Sequence, residues 1–201
     1  EHWHTLRAMA PDARRLNAAQ AREHVSVLRA EQVLAAVLEP DAADMDVHAI
    51  HQGYLRGMRR SGGQLVCDAE VRGLTRERGH WLVEAGGRSY AAPVVINAAG
   101  AWVDAIAQLA GVPPIGIQPR RRSAFVFKPP PGIDASRWPM VYGASEDWYF
   151  KPDAGMLLGS PANADAVPPH DVQPEELDIA LAIDRIERAT TLAIRRPART
   201  W

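Results

Sequence analysis

Val94-Val-Ile-Asn-Ala-Ala-Gly-Ala-Trp102 is the stretch on which the fold turns. Three consecutive β-branched apolar residues predict a strand buried on both faces. The strand runs into small residues and then at once into a helix, with Trp102, Val103, Ile106 and Leu109 on its apolar side and Gly111 as its stop. Small residues at such a junction let a backbone come close to a ligand, and the unpaired N–H groups of a helix start favour phosphate. The same pattern fits a tight strand–helix junction with no ligand, and physics alone divides the two evenly. The glycine fingerprint G-x-G-x-x-G is absent from the sequence.

Outward from this stretch, Glu70–Leu74, Trp81–Glu84 and Arg88–Tyr90 predict a small antiparallel meander, with Gln64–Cys67 as a further strand. Before them, Asp44 or Asp46 can cap a helix whose apolar face is Val47, Ile50, Tyr54 and Met58, stopped by Gly62-Gly63. Residues 12–38 read as helical, because Leu28, Val33, Leu34, Val37 and Leu38 fall near helical spacing. On the other side, Ser123–Phe127, Pro139–Tyr142, Trp148–Lys151 and Gly155–Leu158 are strand candidates. Asp153-Ala-Gly155 turns the last two into a hairpin. Pro174 followed by Glu175 and Glu176 marks the start of a helix carrying Leu177, Ala180, Leu181, Ile183 and Ile186. The fold class is α/β plus α+β: a nucleotide-type layer over residues 44–114, interleaved with an antiparallel-sheet domain built from residues 1–43 and 115–201.

The 201 residues carry 23 Lys and Arg against 24 Asp and Glu, a net charge of −1. This balance argues against a nucleic-acid binder. With 47% apolar residues a core can form, and no apolar run approaches a membrane span. The single cysteine, Cys67, excludes an internal disulfide, allows a reducing compartment and reads as a small apolar residue beside a strand. The first residue, Glu1, and the abrupt end at Trp201 suggest an internal piece of a longer protein.

Three features could carry chemistry. Beside the 94–102 stretch stands Arg120-Arg121-Arg122, since the planar fork of Arg suits a carboxylate. Composition alone favours a solvated basic cluster there by roughly two to one. Tyr149, between Trp148 and Phe150, gains interest only if its hydroxyl faces a cavity. The pairs His2/His4 and His48/His51 have metal-compatible spacing but no carboxylate or Cys joins them, so they read as ordinary helix or surface residues and no metal is expected.

The 94–102 series, Gln118-Pro-Arg120 and the Tyr-x-x-Pro strand at Tyr149–Pro152 resemble the D-amino acid oxidase-like flavoproteins. Longer stretches are similar to the bacterial D-arginine dehydrogenases within that family. They include His51–Gly57, Arg121–Phe125, Pro129–Asp134, Lys151–Asp165, His170–Pro174 and Thr190–Pro197. The likeness runs from about Asp41 onward. It implies a Rossmann-like FAD-binding domain and an FAD-dependent oxidative deamination of D-amino acids, basic ones such as D-arginine and D-lysine foremost. A hydride leaves Cα for flavin N5, and the imino acid hydrolyses to a 2-oxo acid and ammonia. Electrons pass on to an acceptor such as a quinone or dye. The implied setting is the bacterial cytoplasm, with any contact to the inner membrane made at its periphery.

By the same resemblance Arg122 grips the substrate carboxylate, Tyr149 points its hydroxyl at the substrate, and Met140 lines the pocket. Tyr142 falls on a lining position that is aliphatic in the D-arginine enzymes, a departure that narrows or polarises the pocket. On the cofactor side, Val71 gives a backbone contact to the adenosine part, and Asn97, Ala98, Ala99, Gly100 and Trp102 lie beside the nucleotide. The glycine fingerprint and a second carboxylate-binding Arg are expected outside these residues, so the piece alone should not hold FAD tightly or turn over. Glycine or sarcosine oxidases and glycerol-3-phosphate dehydrogenases of the same fold are the nearest alternatives, and a non-catalytic module is the more distant one.

Overall fold

The computed structural model describes Trp3, Arg7, Ala8 and residues 10–201. The His2/His4 pair therefore lies outside the described residues. The chain divides into two compact units, residues 1–42, 120–167 and 171–201 forming the first and residues 43–119 and 168–170 the second. Every strand ladder among the described residues is antiparallel.

The first unit is built on a five-stranded sheet. Its strands are β7 (Phe125–Phe127), β8 (Val141–Tyr142), β9 (Tyr149–Asp153), β10 (Met156–Ser160) and β12 (Arg199–Thr200), in the order β12-β7-β10-β9-β8. The β9–β10 hairpin forms where expected. Its turn residues Ala154 and Gly155 have φ of 47° and 80°, the left-handed pair that matches the twist of the flanking strands. β12 is an addition to the sequence reading: two polar residues show no strand period, and only pairing with Phe125 and Val126 makes them one.

Strand alternation sorts the sheet into two faces. One face carries Phe125, Phe127, Phe150 and Leu157, all buried. Against it packs helix α4 (Glu176–Ala189), which buries Ile179, Ala182 and Ile186 at helical spacing. Val25, Val27, Leu28, Leu192 and Ile194 complete this core. Gly159 lies opposite both Phe125 and Phe150 in the ladders. A Cβ there would meet the Phe125 ring at 2.6 Å. Gly159→Ala is therefore expected to overpack the core and cost about 1–3 kcal/mol in denaturant unfolding. An unchanged midpoint would mean that the ring moves aside freely.

The expectation of helices across residues 12–38 is corrected. Only α1 (Ala18–His24) is α-helical, started by a capping box between Asn17 and Gln20. β1 (Arg14–Leu16) and β2 (Ala36–Leu38) instead pair as a two-stranded ribbon. The apolar spacing spans a bridge at Leu28, a 3-10 turn before Val33 and the strand residues Val37 and Leu38, and Val25 and Val27 enter the core from the turn after α1 rather than from a helix face. A second short ribbon joins β6 (Arg120–Arg121) to β11 (Asp165–Ala166).

The second unit holds α2 (Val47–Arg60), capped by Asp46, whose Oδ1 accepts the Ala49 N–H at 2.8 Å. The meander follows as β3 (Val71–Glu77), β4 (His80–Ala85) and β5 (Arg88–Ala92). A one-turn 3-10 segment (Gly100–Trp102) then leads into α3 (Val103–Leu109). Two expected strands do not form. Gln64–Cys67 is irregular, and Cys67 is exposed rather than a packed apolar residue. Val94–Ile96 forms no ladder either, and Val94 and Ile96 are 70% and 85% exposed. A strand exists only where a neighbour supplies hydrogen bonds, and no segment among the described residues pairs with this one. The apolar face of α2 is likewise uncovered, with no buried residue.

Candidate functional site

The sheet face opposite the core gathers three residues singled out above. Val141 and Phe150 are register partners and belong to the core side, so alternation turns Met140, Tyr142 and Tyr149 the other way. Tyr142 and Tyr149 are themselves partners across β8 and β9, and Tyr149 also faces Ser160 of β10. Tyr149 is half-buried, whereas Met140 and Tyr142 are about half exposed, at 49% and 50%. Burial, aided by the charges of Glu39 and Glu146, raises the Tyr142 pKa. The phenol is held in its protonated, hydrogen-bond-donating form. Arg122 lies three residues before β7, outside any strand, and is exposed.

The three arginines differ sharply in their partners. Arg120 donates from Nη1 to the Ala164 carbonyl at 2.8 Å. Arg121 is largely enclosed, its side chain 14% exposed, and pairs with Glu175, with Asp178 at 3.2 Å and with Asp165 at 3.4 Å. The Glu175 hydrogen bond is the foremost cause of its raised pKa. Arg122 is exposed, and its guanidinium makes no hydrogen bond or ion pair among the described residues. The expectation of one solvated basic cluster is thus resolved residue by residue. The Arg121 arrangement had no local signal, because Glu175 and Asp178 lie more than fifty residues on, at the start of α4.

In the second unit the Asn97–Trp102 junction is tied by its own side chains. Asn97 Nδ2 donates to the Val103 carbonyl at 2.8 Å, and Asn97 Oδ1 accepts the Ala99 N–H at 3.3 Å. The Trp102 N–H is taken by the Ala99 carbonyl at 3.0 Å. The expected row of unpaired N–H groups at a helix start is therefore corrected, since the short polar side chain of Asn97 and a 3-10 turn absorb part of it. What stays open is the backbone at Gly100, which has φ of 55° and nothing within 4 Å of where a Cβ would stand. Ala98 is exposed, Ala99 half-buried, and Trp102 is 46% exposed.

Asp104 is a residue that sequence reading passed over. Its carboxylate accepts the N–H groups of Ile115, Gly116 and Ile117 at 2.9, 3.0 and 2.9 Å, which fastens that loop to α3. Its first-turn position was visible, but its partners were not. Val71 opens β3, half-buried, opposite Ala85. His48 and His51 project from exposed positions of α2. Among the described residues no helix is long and apolar enough to cross a membrane.

The family described as DAO, FAD dependent oxidoreductase, matches residues 1–201. Solved structures share the fold. L-proline dehydrogenase from P. horikoshii is 22% identical with a TM-score of 0.78, over 94% of this chain and 51% of its own. Glycine oxidase from Geobacillus kaustophilus is 16% identical with a TM-score of 0.78, over 100% of this chain and 52% of its own. Dithionite-reduced L-alpha-glycerophosphate oxidase from Mycoplasma pneumoniae, with FAD bound, is 17% identical with a TM-score of 0.80, over 94% of this chain and 52% of its own. The chain spans about half the length of these proteins.

Proposed function

The chain belongs to the DAO family of FAD-dependent oxidoreductases, and we propose that the whole protein carrying it deaminates D-amino acids oxidatively, basic ones such as D-arginine and D-lysine foremost. The products are the 2-oxo acid and ammonia. The observation that carries this reading is the contrast between two adjacent arginines. Arg121 is saturated with carboxylates, whereas Arg122 stands exposed and unpaired in the segment leading into β7 of the sheet that also bears Tyr142 and Tyr149. An unpaired guanidinium suits a small carboxylate, which its fork binds through two parallel charge-assisted bonds.

Each residue then has a task. Arg122 fixes the substrate carboxylate. The Tyr149 hydroxyl orients the amino-acid head, and Met140 and Tyr142 line the side-chain space. Tyr142, kept protonated, adds a donor where the D-arginine enzymes carry an aliphatic residue. In the second unit, Val71 through its backbone, together with Asn97, Ala98, Ala99, Gly100 and Trp102, would hold the nucleotide half of FAD within a Rossmann-like layer. The residues fit that group: the backbone at Gly100 is open to close approach, and Asn97 holds the turn in shape without blocking it. When bound, FAD supplies the two-electron oxidation of the Cα–N bond. A quinone or dye would take the electrons onward, in a bacterial cytoplasm.

A phosphate ester is the second reading, because an unpaired Arg also binds phosphate and one fold relative is an L-alpha-glycerophosphate oxidase. The glycine oxidase relative keeps glycine and sarcosine in view. Anaerobic flavin bleaching of the whole protein separates them. D-arginine and D-alanine should bleach the flavin quickly, and sarcosine and glycerol-3-phosphate weakly or not at all. Bleaching by glycerol-3-phosphate or sarcosine alone would overturn the substrate class. A protein that binds no flavin would be a non-catalytic module.

A further inference from the structure

We propose that the network of Arg121, Asp178, Asn163 and Ser123 is a positioning device that holds Arg122 for its ligand; this rests on the reading of Arg122 as the carboxylate-binding residue. The network clamps the chain on both sides of residue 122. On one side, the Arg121 guanidinium reaches Glu175, Asp178 and Asp165. On the other, Ser123 is held at three atoms. Its N–H donates to Asn163 Oδ1 at 2.9 Å, its Oγ donates to Asp178 Oδ2 at 3.3 Å, and its carbonyl accepts from Ser160 Oγ at 2.7 Å. Asn163 closes the circuit, donating from Nδ2 to Asp178 Oδ2 at 2.9 Å and to Asp165 Oδ2 at 2.8 Å.

Asp178 is the hub. It is 16% exposed, and its Oδ2 receives Arg121, Ser123 and Asn163 together. A carboxylate this enclosed needs its donors, because an unpaired charge in a low-dielectric place is costly. The two neighbours of residue 122 are therefore pinned to one helix start and one strand end, while the side chain between them carries no partner of its own. That division matters for binding, since a fork pays less entropy to grip a carboxylate when its backbone is already fixed. The Arg121 Nε is buried without a hydrogen-bond partner.

Steady-state kinetics on the whole holoenzyme, with D-arginine as the probe, test the device. Arg121→Met should raise KM about tenfold to a hundredfold, with a much smaller change in kcat, and Arg121→Lys should restore part of the loss. Asn163→Ala releases the Ser123 N–H while leaving the ion pairs, and should raise KM in the same sense; it decides the matter if Arg121→Met does not accumulate as folded protein. Arg122→Ala is run alongside. If Arg122→Ala raises KM and both network variants keep the parent KM, even with lowered melting temperatures, the network is structural only and the inference falls. If Arg122→Ala itself leaves KM unchanged, the reading beneath it falls instead.

Discussion

Arg122→Ala in the whole protein is expected to lower kcat/KM for a D-amino acid by about a hundredfold to ten-thousandfold. Hydrogen bonds to charged groups contribute about 1.5–3 kcal/mol each, and the fork makes two of them; each 1.4 kcal/mol is tenfold. If Arg122 holds the carboxylate equally in ground and transition states, the loss appears in KM; if it also aligns the Cα–H bond, kcat falls as well. No competing partner for Arg122 exists among the described residues, so the variant leaves no broken ion pair and should melt close to the parent protein. Lysine at this position keeps the charge but loses the fork, and should recover only part of the activity. An Arg122→Ala protein with unchanged kinetics would remove the centre of the proposed site.

Phe150→Ala is expected to give the largest stability loss, about 3–5 kcal/mol. Phe150 is 0% exposed. Its ring stacks on Trp148 at 6.2 Å and meets Trp138 edge-on at 6.3 Å. Removing it empties the middle of the first unit between the sheet and α4, where Leu157 and Ile186 are also fully buried and cannot collapse inward without shifting the sheet. Chemical denaturation of the whole protein, read by tryptophan fluorescence, would report the change. A loss below about 1 kcal/mol would mean that the two tryptophans repack into the space. Because Phe150 sits on the core side between Tyr149 and Lys151, the variant should also loosen Tyr149, raising KM more than a remote core change does.

Local patterns carried much of this. The β3–β5 meander, the β9–β10 hairpin, the Asp46-capped α2, the α3 stop at Gly111 and the α4 start at Pro174–Glu176 all rest on signals within a few residues, and all appear in the structure. What failed shares one cause. Residues 12–38 and Val94–Ile96 contain apolar spacings that fit more than one state, and a distant partner chooses between them. For Arg14–Leu16 that partner is Ala36–Leu38. For Val94–Ile96 none lies among the described residues, and the same apolar run stays irregular and exposed.

The DAO family, FAD dependent oxidoreductase, was legible in the linear string of residues, without any single motif carrying it. The string also placed the helix caps and tight turns, whose physics is local. Which of three consecutive arginines is left free follows from packing and not from the string. Arg120, Arg121 and Arg122 are equivalent as a string. They part company because Asp165 lies forty-four residues on and Asp178 fifty-seven, and folding brings both carboxylates against Arg121 alone. Charge pairing at that range is a property of packed elements, and it leaves the remaining arginine without a partner among the described residues.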